Sequence, residues 1–316
     1  MRILIIGGTR FLGRRVAETL VSAGHNLTLV SRRTGCVPAG AQQICSERGA
    51  GLAMLQGIRF DLVLDFICYD SMDMDQVAAS IVAERYVLIS STWLPRLWAG
   101  SCANELPSGS TPVAAQLPTV TLNYLSGKLR AEQALNKLRQ LGCKAVSLRL
   151  PIILGDGDHT GRLDFYRRRL ADGGPLIAVD GGQNHAQIAV MGDLAKAIVR
   201  WSTEKDIGRF LVWEALPDNG RSVRAIIEAM AVAAGVTATL VDLPVAELAR
   251  DLPVYLDQEP FWRESALPLT AANIYAAVGM APAVFGLTFR TPVPEDGTMA
   301  CLRSEELHFL ANRYAD

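Results

Sequence analysis

The stretch Ile3-Leu4-Ile5-Ile6-Gly7-Gly8-Thr9-Arg10-Phe11-Leu12-Gly13 decides how this chain folds. Four apolar residues in a row read as a strand buried on both faces. Glycines follow at once. A helical pattern then runs from Phe11 to Ala23 and stops at Gly24. Strand, glycine turn and helix are the context of a dinucleotide fingerprint. Gly7 allows a sharp turn, Gly8 leaves room around it, and Gly13 lets the helix pack close to the sheet. Thr9, Arg10, Phe11 and Leu12 complete the turn. A pyrophosphate would rest on the free N–H groups at the helix start, helped by the helix dipole. The alternative is a tight strand-to-helix turn with no ligand.

Outward from this stretch, short apolar runs alternate with helical ones. Leu27 to Val30, Leu62 to Leu64, Tyr86 to Ile89 and Val146 to Leu150 read as strands. A long helix spans about Tyr124 to Leu141. Such alternation implies an α/β fold with a doubly wound parallel Rossmann sheet. Ligands bind such sheets at the carboxyl ends of the strands. That rule selects Ser31, Arg32 and Arg33 after the second strand, and Asp65 and Phe66 after the third. It also selects Ser90 at the end of the fourth and Pro151 after the fifth. After about Gly155 the pattern loosens. The expected division is a dinucleotide-binding domain over 1–154 and a smaller C-terminal substrate lobe over 155–316, with some segments returning to the sheet. Pro95 to Pro118 reads as a long irregular loop. Ser222 to Ala234 reads as a capped amphipathic helix ending at Gly235.

The second strand ends in Ser31-Arg32-Arg33, where an NAD site usually carries an acidic residue for the ribose hydroxyl. Arginines suit a 2′-phosphate instead. The expected cofactor is therefore NADP in preference to NAD. Solvated surface charge is the competing reading.

Tyr124-Leu125-Ser126-Gly127-Lys128 puts a phenol and an ammonium on one face of a helix. A nearby positive charge favours the phenolate, so Tyr124 becomes a candidate proton carrier and Lys128 its partner. A hydroxyl at the end of the fourth strand would hold the substrate oxygen, with Thr92 first and Ser91 second. A plain helix surface and a locally capped strand end are the alternatives.

The bulk numbers set limits. The chain has 316 residues, half of them hydrophobic, and a formal net charge of -1. That charge lacks the basic footprint of a nucleic-acid binder. The six cysteines are scattered with no C-x-x-C pair, which excludes a zinc cluster and suits free thiols in a reducing compartment. No apolar run is long enough for a signal core or a membrane span. The expected setting is cytoplasmic, with no metal and no membrane; a homodimer is compatible with the sequence.

Taken in order, the turn Gly7 to Gly13, Ser91-Thr92, Tyr124 with Lys128, and Arg149-Leu150-Pro151 before Gly155 resemble the extended and atypical short-chain dehydrogenase/reductase superfamily, in its NAD-dependent epimerase/dehydratase branch. Gly155-Asp156-Gly157-Asp158, Arg162, Gly173-Gly174, Gln187-Ile188 and Asp193-Leu194-Ala195 are similar to the bacterial branch with this same turn. The resemblance implies a Rossmann domain, an NAD(P) cofactor and a catalytic set of Thr92 or Ser91, Tyr124 and Lys128. It also implies small-molecule substrates, among them nucleotide sugars. Three departures stand out. Arg10 replaces the middle glycine of the turn, Trp93-Leu94-Pro95 follows the serine strand, and Gly192 sits where relatives carry a charge.

In the lobe, Arg162, Tyr166 and Arg167 to Arg169 are candidates for an anionic substrate group, against a solvated basic face. Tyr255, Phe261 and Trp262 form either core or a stacking wall. His159 and His185 are loop candidates for proton transfer. The leading expectation is an oxidoreductase. A redox-neutral epimerase or dehydratase is the alternative, and a non-catalytic dinucleotide- or RNA-binding relative is the third.

Overall fold

Strands with no polar face must be covered on both sides, and the apolar strands of the first half meet that demand by lying together in one sheet with a polar strand at its edge. They are β1 (Arg2–Ile6), β2 (Asn26–Ser31), β3 (Gln42–Cys45), β4 (Arg59–Asp65), β5 (Val82–Ser91) and β6 (Lys144–Leu150). Their order in the sheet is β3-β2-β1-β4-β5-β6, continued past β6 by Val212–Glu214 and then Ala272–Asn273. All seven pairings are parallel. The computed structural model describes residues 1–34, 37–95, 119–216, 220–261, 271–281 and 297–313, without the side chains of 297–301. Most of the loop expected over Pro95 to Pro118 and Trp262 lie outside these residues.

Helices join the strands. α1 (Phe11–Ser22) buries Leu12, Val16, Ala17 and Leu20 on one stripe. α2 (Arg48–Ala53) and α3 (Ser71–Ser80) follow β3 and β4. α3 opens on a capping box, Asp70 with Asp73, which satisfies its first amides. α4 (Thr119–Gln140) packs beside α3, and Arg130 of α4 pairs with Asp70. Strand order reverses where β1 and β4 neighbour each other, so the carboxyl ends at Gly7 and Asp65 flank the switch point.

The described residues fall into two units. The first comprises Met1–Pro151, Gly192–Leu216 and Leu269–Ala281; the second comprises Ile152–Met191, Pro217–Pro268 and Pro282–Asp316. Val212–Glu214 and Ala272–Asn273 thus bring late segments into the first sheet. The second unit builds short pairs: Ile152–Leu154 with Ile188–Val190, and Leu176–Val179 with Leu240–Leu243. Helices Arg162–Asp172 and Val223–Ala234 cover its own core. Ser222 caps the latter by accepting from the Ala225 amide, and Gly235 ends it at φ 70°. Gly155 is required for packing here, since a Cβ on it would lie 2.7 Å from the Met191 Cβ.

Candidate functional site

The turn after β1 is shaped by contacts that only glycine permits. Gly7 has φ +87°, and a Cβ there would sit 2.6 Å from the Ile67 side chain. A Cβ on Gly13 would lie 2.8 Å from the Gly7 carbonyl, so α1 starts against the turn itself. Phe66 packs over this point, its ring 3.5 Å from the same hypothetical Cβ. Arg10 occupies the N-cap of α1 in extended conformation and gives no side-chain cap, because a guanidinium has donors only. No acidic residue lies in the helix's first turn. Phe11 takes a left-handed φ of 41°, a conformation that costs a β-carbon residue about 1–2 kcal/mol. Thr9 and Leu12 are buried beneath the turn.

Beside it, the end of β2 exposes Arg32 and Arg33. Ser31 is buried, and its hydroxyl accepts from Gln43 of β3 at 2.8 Å. At the end of β4, Asp65 is fully buried. Its carboxylate takes both forks of Arg48, at 2.9 and 2.6 Å, and accepts from the Tyr86 hydroxyl at 2.7 Å and the Ile67 amide at 3.1 Å. The Asp65 side chain therefore points into the protein, at the strand end the sequence selects. The carboxylate is consumed inside the protein as counter-charge to Arg48. The same network holds the Tyr86 phenol well above its ordinary pKa, through burial and the Asp65 charge.

The hydroxyl ladder at the end of β5 divides three ways. Ser90 Oγ is buried and has no hydrogen-bond partner among the described residues. Ser91 Oγ accepts from the Trp93 amide at 3.2 Å. Thr92 is buried, and its hydroxyl donates to the Leu150 carbonyl at 3.3 Å, just ahead of Pro151. Arg149, the first residue of the Arg-Leu-Pro run, pairs with Glu132 at 2.8 Å and ties β6 to α4.

Tyr124 and Lys128 occupy adjacent turns of α4. Tyr124 is 42% exposed, whereas Lys128 is 2% exposed. The Lys128 ammonium donates to the carbonyls of Cys68 and Ile89, each at 2.7 Å, so it bridges the loop after β4 and the end of β5. Burial lowers its pKa to about 8, opposed by the Cys68 thiol and the Asp65 and Asp73 carboxylates, with Arg48 pushing the same way as burial. It stays mostly protonated at neutral pH. Its charge lies 6.0 Å from the Tyr124 ring centre and 4.6 Å from that of Tyr69. Tyr69 carries no motif in the sequence; the only signal that could have found it is its place in the loop at the carboxyl end of β4.

The candidates in the second unit separate clearly. Arg169 is interior: it pairs with buried Glu306 at 2.7 Å and lies 3.5 Å from the centre of the Phe165 ring. Tyr166 is also interior, donating to Glu259 and stacked on Phe261. Arg167 pairs with Asp164. Tyr255 donates to the Ile177 carbonyl at 2.9 Å from within the core. Packing therefore accounts for Tyr166, Arg169, Tyr255 and Phe261. Arg162 and Arg168 instead line a cavity of about 520 Å³ with His159, Thr160, Asp257 and Gln258. His185 is exposed. Among the described residues no group of ligand side chains could hold a metal, and no helix is long and apolar enough to cross a membrane.

A parallel sheet in this order, with a glycine turn at its switch point and a Tyr–Lys pair on the helix before β6, defines a protein of the short-chain dehydrogenase/reductase type. The family model for the NAD dependent epimerase/dehydratase family matches residues 3–211, and the chain belongs to that family. A curated relative, the chloroplast stem-loop binding protein of 41 kDa b from Arabidopsis thaliana, is 24% identical over 295 residues, covering 90% of this chain and 74% of its own. Among solved structures, UDP-glucose 4-epimerase from Thermotoga maritima with UDP-glucose aligns at TM-score 0.61 and 16% identity, covering 90% of this chain and 94% of its own. The dTDP-glucose 4,6-dehydratase from Bacillus anthracis in complex with NAD aligns at TM-score 0.60 and 14% identity, covering 99% and 98%. At these identities the solved structures establish the fold.

Proposed function

We propose that this protein moves hydride between a nicotinamide dinucleotide and an oxygen-bearing carbon of a small molecule, with nucleotide sugars as the leading substrate class. Net oxidoreduction and redox-neutral epimerisation or dehydration both use this step. The observation that carries the reading is Lys128, buried on the Cys68 and Ile89 carbonyls one helical turn from the half-exposed phenol of Tyr124. The residues fit a dinucleotide. The turn is held open by glycines that no Cβ could replace, and Ser90 leaves a buried hydroxyl unpaired at the strand end. Gly7, Gly8 and Gly13 with the first amides of α1 would hold its pyrophosphate, and Lys128 its ribose.

When bound, the dinucleotide supplies a ring carbon that accepts or returns hydride. The chain's own residues do the rest. Tyr124 exchanges the proton of the substrate oxygen, and the Lys128 ammonium favours its phenolate. Ser91 is better placed than Thr92 to donate to that oxygen, because Thr92 already donates to Leu150 whereas Ser91 accepts from Trp93. In the second unit, taken by itself, Arg162 and Arg168 are the cavity side chains that would meet an anionic group, beside Asp164 and Asp257. Arg32 and Arg33 support NADP over NAD; the family description and the Bacillus anthracis structure name NAD, so the arginines alone carry that preference.

Incubating the protein with NAD or NADP and a panel of nucleotide sugars and small ketones tests this. The expected result is a change in nicotinamide absorbance, or an epimerised or dehydrated sugar, with at least one substrate. No turnover with any of them, together with a salt-sensitive shift of an RNA stem-loop in a gel, would favour a second reading. That reading is RNA binding; the name of the Arabidopsis relative states stem-loop binding for that protein.

A further inference from the structure

We propose that Tyr69 is a positioning residue of this site: its ring holds the Lys128 ammonium in place, and Gly127 sets the close approach that makes this contact. The inference rests on the reading of Lys128 as the ammonium partner of Tyr124. Its support is geometric. Lys128 directs two donors at backbone carbonyls, and its charge then lies nearer the Tyr69 ring, at 4.6 Å, than the Tyr124 ring, at 6.0 Å. Only the first distance is well inside the range over which an aromatic face attracts a cation. The two rings are neighbours, with centres 6.3 Å apart and planes at 55°. The ammonium therefore lies beside both rings and closer to that of Tyr69.

Tyr69 is fixed from its own side as well. Its amide donates to Asp73 at 2.7 Å, which ties the residue to the capping box of α3. From the other side, a Cβ on Gly127 would run into the Tyr69 carbonyl oxygen. Gly127 lies between Tyr124 and Lys128 in sequence, so the helix carrying the pair can approach Tyr69 only because that position has no side chain. The charged and titratable groups that act on Lys128 most strongly are Cys68, Asp65, Asp73 and Arg48. The aromatic faces beside it are those of Tyr69 and Tyr124. The Tyr69 phenol is itself held above its ordinary pKa, by burial first and then by Asp65 and Asp73, so it stays neutral while the lysine is charged.

A ring that attracts the ammonium favours its protonated form, so removing the ring must lower the pH at which Lys128 titrates. The chain contains five lysines, which makes their side-chain signals separable by NMR in protein labelled at the lysine Cε. The Lys128 signal is the one lost in Lys128→Met. In Tyr69→Leu the Lys128 midpoint is expected to fall by about half a pH unit to one unit, and in Tyr69→Phe, which keeps the ring, to stay at the wild-type value. An unchanged midpoint in Tyr69→Leu overturns the proposal, and so does an equal shift in Tyr69→Phe. The measurement uses no cofactor or substrate, so its outcome is independent of whether hydride transfer is the reaction.

Discussion

Tyr124→Phe is expected to lower turnover by about 10²–10⁴-fold, the usual range for losing a positioned proton-transfer group. Dinucleotide affinity and thermal stability should stay near wild type. The phenol is half exposed, and its removal leaves the turn after β1 and the Lys128 contacts untouched. Steady-state kinetics on the substrate found in the panel, alongside a binding titration, separates the two effects. A fall in kcat with unchanged affinity assigns the proton to Tyr124. Activity equal to wild type removes Tyr124 from the mechanism.

Asp65→Ala is expected to be among the most destabilising substitutions in the first unit. The carboxylate is fully buried and balances Arg48; its loss leaves that guanidinium with only the longer Asp73 contacts and the Tyr86 hydroxyl without its acceptor. Breaking one side of a buried pair costs about 3–5 kcal/mol. The effect is read as a lowered urea midpoint. Asp65→Leu combined with Arg48→Met should recover much of the loss, because the uncompensated charge is then gone. If the single variant unfolds at the wild-type urea concentration, the network is not holding β4 to α2.

These two residues mark what sequence reading reaches and where it ends. The turn Gly7 to Gly13 is legible because its glycines answer a local steric demand and sit between a strand and a helix. Tyr124 and Lys128 are legible because helical spacing alone puts them on one face. Asp65 lies at the right strand end for a cofactor, yet its partner Arg48 is 17 residues upstream across a helix and a strand, and no local pattern announces that pairing. Tyr69 fails to appear for the same reason: a single loop tyrosine has no spacing to a partner. Strand β3, Gln42-Gln43-Ile44-Cys45, is a partly exposed edge strand without an apolar run. Val212–Glu214 and Ala272–Asn273 are three and two residues long, too short for periodicity to register. In the lobe, the basic run Arg167 to Arg169 reads as one face, whereas the fold sends Arg169 inward to Glu306 and leaves Arg168 at the cavity.

The most direct measurement is a calorimetric titration of the wild-type protein with NAD and with NADP, side by side. Saturable binding of one dinucleotide per chain is the expected result, tighter for NADP if Arg32 and Arg33 grip the 2′-phosphate. Absence of saturable heat with both would mean that the glycine turn is only a bend between a strand and a helix, and the assigned chemistry would fall with it.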